Sequence, residues 1–98
     1  MIRRDGSRMF VVGPATLQNI SGVLEDGAAL VRDGVTAVDL SEVTELDSSL
    51  LAAALAWLRQ AKESGHTLEL AHVPDSLLTL AGLYGVGDLL GLGAAPGH

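Results

Sequence analysis

With 98 residues and a formal charge of −6, this chain has the length for one small core and no second one. A hydrophobic share of 48% against 18% charged excludes disorder by composition, and six scattered cations exclude the basic stripe that nucleic-acid binding and electrostatic attachment to anionic lipid both need. The lack of cysteine removes disulfides and thiol chemistry and suits a reducing cytoplasm.

Met1–Arg4 and Arg8–Val12 flank Asp5-Gly6, a strong turn dipeptide, and predict an antiparallel hairpin. The opening segment lacks the apolar core of a signal peptide. Gly13-Pro14 breaks the strand, and Thr16 is the predicted N-cap of a helix from about Leu17 to Arg32. Leu17, Ile20, Leu24, Ala28 and Val31 make its apolar stripe, while Gly22 and Gly27 each weaken it by about 1 kcal/mol relative to Ala. Asp33-Gly34 supplies a stop. Val35–Leu40 predicts a central strand covered on both faces. A short acidic loop, Asp39–Asp47, leads into a helix from Ser48 or Ser49 to about Glu63. Leu51, Leu55, Leu58 and Lys62 fall on one line of that helix, with Ala54 and Ala61 alongside.

Ser64-Gly65 closes it, and Thr67–Val73 predicts another strand with Leu68 and Leu70 turned inward. Pro74-Asp75 opens a third helix, in which Leu77, Leu80, Ala81 and Tyr84 share a face. Gly85 ends it, and Val86–Leu90 adds a turn. The expected organisation is a single domain over 1–90 and a flexible, Gly/Ala-rich C-terminal tail over 91–98. The longest apolar run, Leu50–Leu58, falls short of the roughly 20 residues that span a bilayer.

The order β-β-α-β-α-β-α predicts an α/β fold: a mixed, mostly parallel sheet with helices packed on it through right-handed crossovers. Its chemistry gathers at Asp47-Ser48-Ser49, where free N–H groups and the helix dipole favour added negative charge. One reading is capping, worth about 1 kcal/mol over Ala. Another is a phosphorylation site or docking edge, and the two coexist. A phosphate adds about −1.5 to −2 charges, which Asp39, Glu42, Glu45 and Asp47 repel if they lie close. Ser49, Ala52, Ala53 and Ala56 lie off the leucine stripe and predict a smooth face for a protein partner. Trp57 at its flank is either an interface anchor or a core residue. There is no phosphate-binding loop and no Gly-x-Ser-x-Gly elbow, and His66, His72 and His98 stand far apart. No catalytic residue, metal site or cofactor is therefore expected.

Val38-Asp39-Leu40-Ser41 followed by Leu46-Asp47-Ser48-Ser49-Leu50-Leu51 resembles the strand, loop and site helix of the STAS domain family (sulfate transporter and anti-sigma factor antagonist). Trp57–Lys62 and Leu80–Leu90 are similar to the small STAS proteins of the bacterial lipid-asymmetry (Mla) transporter. The resemblance implies a STAS-like fold and a non-catalytic, cytoplasmic accessory subunit. That subunit binds the ATPase of a phospholipid-transporting ABC complex and lies peripheral to the inner membrane through it, with no insertion of its own. The alternative is an anti-sigma factor antagonist regulated by serine phosphorylation, with an anti-sigma factor kinase as partner. Such antagonists commonly read Asp-Ser-Ser-Gly or Asp-Ser-Thr-Gly, the second hydroxyl residue being phosphorylated. Ser49 matches that position, and Ser48 matches the hydroxyl residue stressed in the transporter branch. Leu50 stands where the antagonists have Gly, which implies a bulkier helix start. The expected contact edge is Asp47, Ser48, Ser49, Ala52, Ala53, Ala56 and Trp57.

Overall fold

The computed structural model describes residues 1–91. β1 (Ile2–Asp5) and β2 (Arg8–Val11) form the antiparallel hairpin, with Gly6 at the positive φ its turn requires. There follow β3 (Gly13–Ala15), α1 (Ile20–Arg32), β4 (Ala37–Asp39), β5 (Val43–Leu46), α2 (Ser48–Glu63), β6 (Glu69–Ala71) and α3 (Asp75–Leu83). The main sheet has the order β1-β2-β4-β6, with β2, β4 and β6 parallel. This is the expected α/β arrangement of a mixed, mostly parallel sheet with helices packed on it. The tail expected over 91–98 lies, Gly91 apart, outside the described residues.

The sheet is covered on one face. From β2 through β4 to β6 the order never reverses, so right-handed crossovers set α1 and α2 on the same side. The shortest extent of the molecule, 19 Å, is the thickness of two layers. Met9, Val38 and Leu70 share a register row and point toward the helices, where Met9 and Val38 are fully buried. The next row, Phe10, Asp39 and Ala71, points the other way because side chains alternate along a strand. That second face carries ion pairs. Arg3 pairs with Glu42 at 2.6 Å and lies 4.3 Å from the centroid of Phe10, and Arg8 pairs with Asp39 at 2.7 Å. The expectation of a central strand covered on both faces is thereby corrected.

Two short strands add to the expected order. β3 and β5 form a separate parallel ribbon, so the second half of the supposed acidic loop is paired backbone. α1 begins at Ile20, not near Leu17. Asn19 spends its side chain on the turn before the helix: its Oδ1 accepts the Thr16 N–H and its Nδ2 donates to the Pro14 carbonyl. Thr16 is therefore part of a turn and not a cap, and Leu17, on that turn, is 77% exposed. Tyr84, expected on the helix face of Leu77, Leu80 and Ala81, lies just past the helix and is 61% exposed, since α3 stops at Leu83 and Gly85 turns the chain away at φ +68°.

The helices meet at Gly27 and Trp57. A Cβ at Gly27 would stand 2.5 Å from Trp57 Cε2, so this glycine is a packing requirement and not only a weakness in α1. The indole Nε1 donates to the Leu24 carbonyl at 3.1 Å, and Gln60 donates to the Ala28 carbonyl at 2.8 Å. No helix among the described residues is long and apolar enough to cross a membrane.

Candidate functional site at the start of α2

The β3–β5 ribbon builds the site. Its last register pair is Ala15 with Leu46, and because the strands are parallel both chains leave at the same end. One turns through Thr16–Asn19 into α1; the other passes Asp47 into α2. Asp47 is thereby brought beside Leu17. Its Oδ2 accepts the Leu17 N–H at 2.9 Å, and its Oδ1 accepts both the Ser49 N–H, at 2.8 Å, and the Ser49 hydroxyl. With an extended backbone, Asp47 is the N-cap of α2. The Ser49 hydroxyl, followed by the Leu17 and Ser49 amides, holds the Asp47 carboxyl below the usual carboxylate range.

Ser48 is the first helical residue and is exposed, whereas Ser49 is half-buried with its hydroxyl turned to Asp47. Leu50 is fully buried. The bulk that replaces glycine is directed into the core, which corrects the expectation of a bulkier helix start: the surface around the serines stays open. Ala52 is exposed and Ala56 half-buried, each one helical turn beyond the last along the line from Ser48. Ala53 and Trp57 do not belong to the edge. They are 2% and 0% exposed, because α2 turns that side toward α1. Their assignment to a contact surface is corrected, and Trp57 is a core residue.

The acidic residues around the site are largely engaged. Arg3 holds the Glu42 carboxyl below its ordinary range. Burial pushes the Asp39 carboxyl up, but hydrogen bonds from Ser41, His72 and Arg8 outweigh it and hold the group well below its ordinary value. The Ser41 N–H donates to Asp39 at 2.8 Å, Arg8 at 2.7 Å, and His72 Nδ1 lies at 3.0 Å. Sequence reasoning missed this centre, since its members come from β2, the end of β4 and the segment after β6. The positive φ of His72 (54°), uncommon outside glycine, bends the chain there. Among the described residues no three His, Asp or Glu side chains could hold a metal ion. Asp47, whose proton affinity is lowered, is a poor base for either serine.

These features define a one-sided α/β domain with an open, serine-bearing helix start, on which no nucleophile–base pair is assembled among the described residues. The family model described as "Mlab, STAS domain" matches residues 2–91, and the chain belongs to the STAS domain family. Membership makes it a non-catalytic protein-interaction fold, as expected from the sequence. No curated protein matches the chain. Among solved structures, the anti-sigma factor antagonist SpoIIAA in its unphosphorylated form is similar with a TM-score of 0.63 at 10% identity, over 82% of this chain and 78% of that one. The Bacillus cell fate determinant SpoIIAA in the phosphorylated form is similar with a TM-score of 0.66 at 12% identity, over 91% and 86%. The structure of Mglu is similar with a TM-score of 0.53 at 23% identity, over 76% of this chain and 19% of that one. At these identities the likeness is one of fold.

Proposed function

We propose that this STAS domain is a serine-regulated protein-binding module of the anti-sigma factor antagonist kind, working in the cytoplasm. Its contact edge is Asp47, Ser48 and Ser49, with Ala52 and Ala56 beside them. The observation that carries the reading is the exposure of Ser48 and the half-burial of Ser49 at the first turn of α2, with Leu50 turned wholly inward. The fold likeness to SpoIIAA in phosphorylated and unphosphorylated forms supports it. A phosphate on Ser49 removes the hydroxyl proton that Asp47 accepts and sets about −1.5 to −2 charges beside an ionised carboxylate. The helix dipole offsets part of the repulsion, so the domain keeps its fold while the edge becomes too negative for its partner.

Incubation with ATP and a cognate anti-sigma factor kinase tests this. The expected result is phosphate mapped to Ser49 and absent from Ser49→Ala, with Ser49→Asp weakening kinase binding about ten-fold or more. An unmodified intact mass, or equal kinase binding by Ser49→Asp, overturns the proposal.

A second reading is supported by the description of the matching family model: an accessory subunit of a phospholipid-transporting ABC complex, peripheral to the inner membrane through its ATPase. It predicts co-purification with an ABC ATPase, lost in Ser48→Arg and Ala52→Arg, with no requirement for phosphate.

A further inference from the structure

A second surface lies at the other end of α2. Leu55, Leu58, Arg59 and Lys62 line a groove together with Leu89, from the turn after α3. Leu55 and Leu58 are half-buried, and Leu89 is 67% exposed. Arg3, Arg4 and Arg8 each pair with a carboxylate, but Arg59 and Lys62 are exposed and make no ion pair among the described residues. In a chain of formal charge −6, an apolar strip is thus flanked by two unneutralised cations. The negative end of the helix dipole explains a cation in the last turn, Lys62. It does not explain the apolar strip beside it.

We propose that this groove docks an acidic amphipathic helix of a partner protein. Charge complementarity selects that occupant. Two cations on an acidic chain are too few for nucleic acid, whose binders neutralise about 6–10 phosphates. They are also too few for an anionic membrane, at about 1 kcal/mol per cation. A second copy docked groove to groove sets Arg59 and Lys62 against their own like charges. Leu55 to Lys62 spans about 10 Å of helix axis, or two turns. The partner helix therefore presents apolar side chains at i and i+3 or i+4 to Leu55, Leu58 and Leu89, and carboxylates at the flanks to Arg59 and Lys62. Ser48 and Arg59 stand about 16 Å apart along α2, so a charge placed on the serines lies away from this contact, although Ala56 of the edge adjoins it.

Selection from a displayed library of random peptides of about 16 residues, long enough for four helical turns, tests the proposal on the full chain. The expected winners carry paired apolar residues at helical spacing flanked by Asp or Glu. Binding of the corresponding synthetic peptides should fall about ten-fold or more in the Arg59→Glu/Lys62→Glu variant, weaken as salt shortens the Debye length, and be unchanged in Ser49→Asp. The substituted positions are exposed, so an unaltered circular dichroism spectrum is expected. Failure to enrich any sequence, enrichment of sequences without acids, or equal binding by the double variant overturns it. So does self-association or co-sedimentation with anionic vesicles that the double variant loses.

Discussion

At Gly27, helix propensity and packing pull in opposite directions. Alanine is the better helix former by about 1 kcal/mol, yet its methyl would meet the ring of Trp57, which is fully buried and has nowhere to move. Overpacking of this kind costs about 1–3 kcal/mol. Gly27→Ala should therefore lose about 1 kcal/mol net, and up to about 2 if the ring cannot shift, read from the urea midpoint at constant slope. Gly22 is the matched control: it lies in the same helix with nothing within 4 Å of a built Cβ, so Gly22→Ala should gain about 0.5–1 kcal/mol. A stabilised Gly27→Ala would mean that the two helices do not approach as described. Local periodicity rates both glycines as equal weaknesses, because it carries no record of what another helix sets against them. The same limit left Trp57 undecided between anchor and core.

At the scale of elements, Asp47 joins the start of α2 to the turn before α1 through one carboxylate. Asp47→Ala removes the cap of α2 and the acceptor for Leu17 together, and should cost about 1–2 kcal/mol. Ser48→Ala, at an exposed position, should stay within about 0.5 kcal/mol. Thermal denaturation of the two variants side by side checks the contrast, and equal losses would remove Asp47 from its bridging role. Arginine scanning separates the true edge from the core: Ala52→Arg should fold normally, whereas Ala53→Arg forces a charge into the α1 contact and should fail to fold cooperatively. The start of α2 was legible because Asp-Ser-Ser before a leucine-rich run is a strong capping signal. The β3–β5 ribbon was not, since strands of three and four residues are too short to display alternation. Without the ribbon, nothing in the sequence brings Leu17 to Asp47.

For the whole molecule, alternating strands and helices gave the parallel sheet, but only the strand order tells which face is covered. An order that never reverses stacks α1 and α2 on one side and leaves the other to charged side chains. Among the described residues it also lacks the reversal point at which open α/β sheets form a ligand crevice. On the open face Asp39 ties β2, β4 and the segment after β6 through Arg8, its own strand and His72. Its carboxyl is held well below its ordinary value against the opposing effect of burial. The unfolded chain therefore takes up this proton first as pH falls. The stability that Asp39 contributes is complete above about pH 5 and is lost as pH drops through the ordinary carboxylate value of about 3.9 toward the folded one. Glu42 and Asp47, also lowered, act in the same direction. Urea midpoints measured from neutral to acid pH should fall along a steep acid limb in the wild type. Asp39→Asn should be less stable by about 2 kcal/mol at neutral pH, because Arg8 loses its charged partner. Its acid limb should be shallower, so that the two curves converge at low pH. Parallel curves with a constant offset would show that Asp39 is not held ionised by its neighbours, and that the open face owes its cohesion to something else.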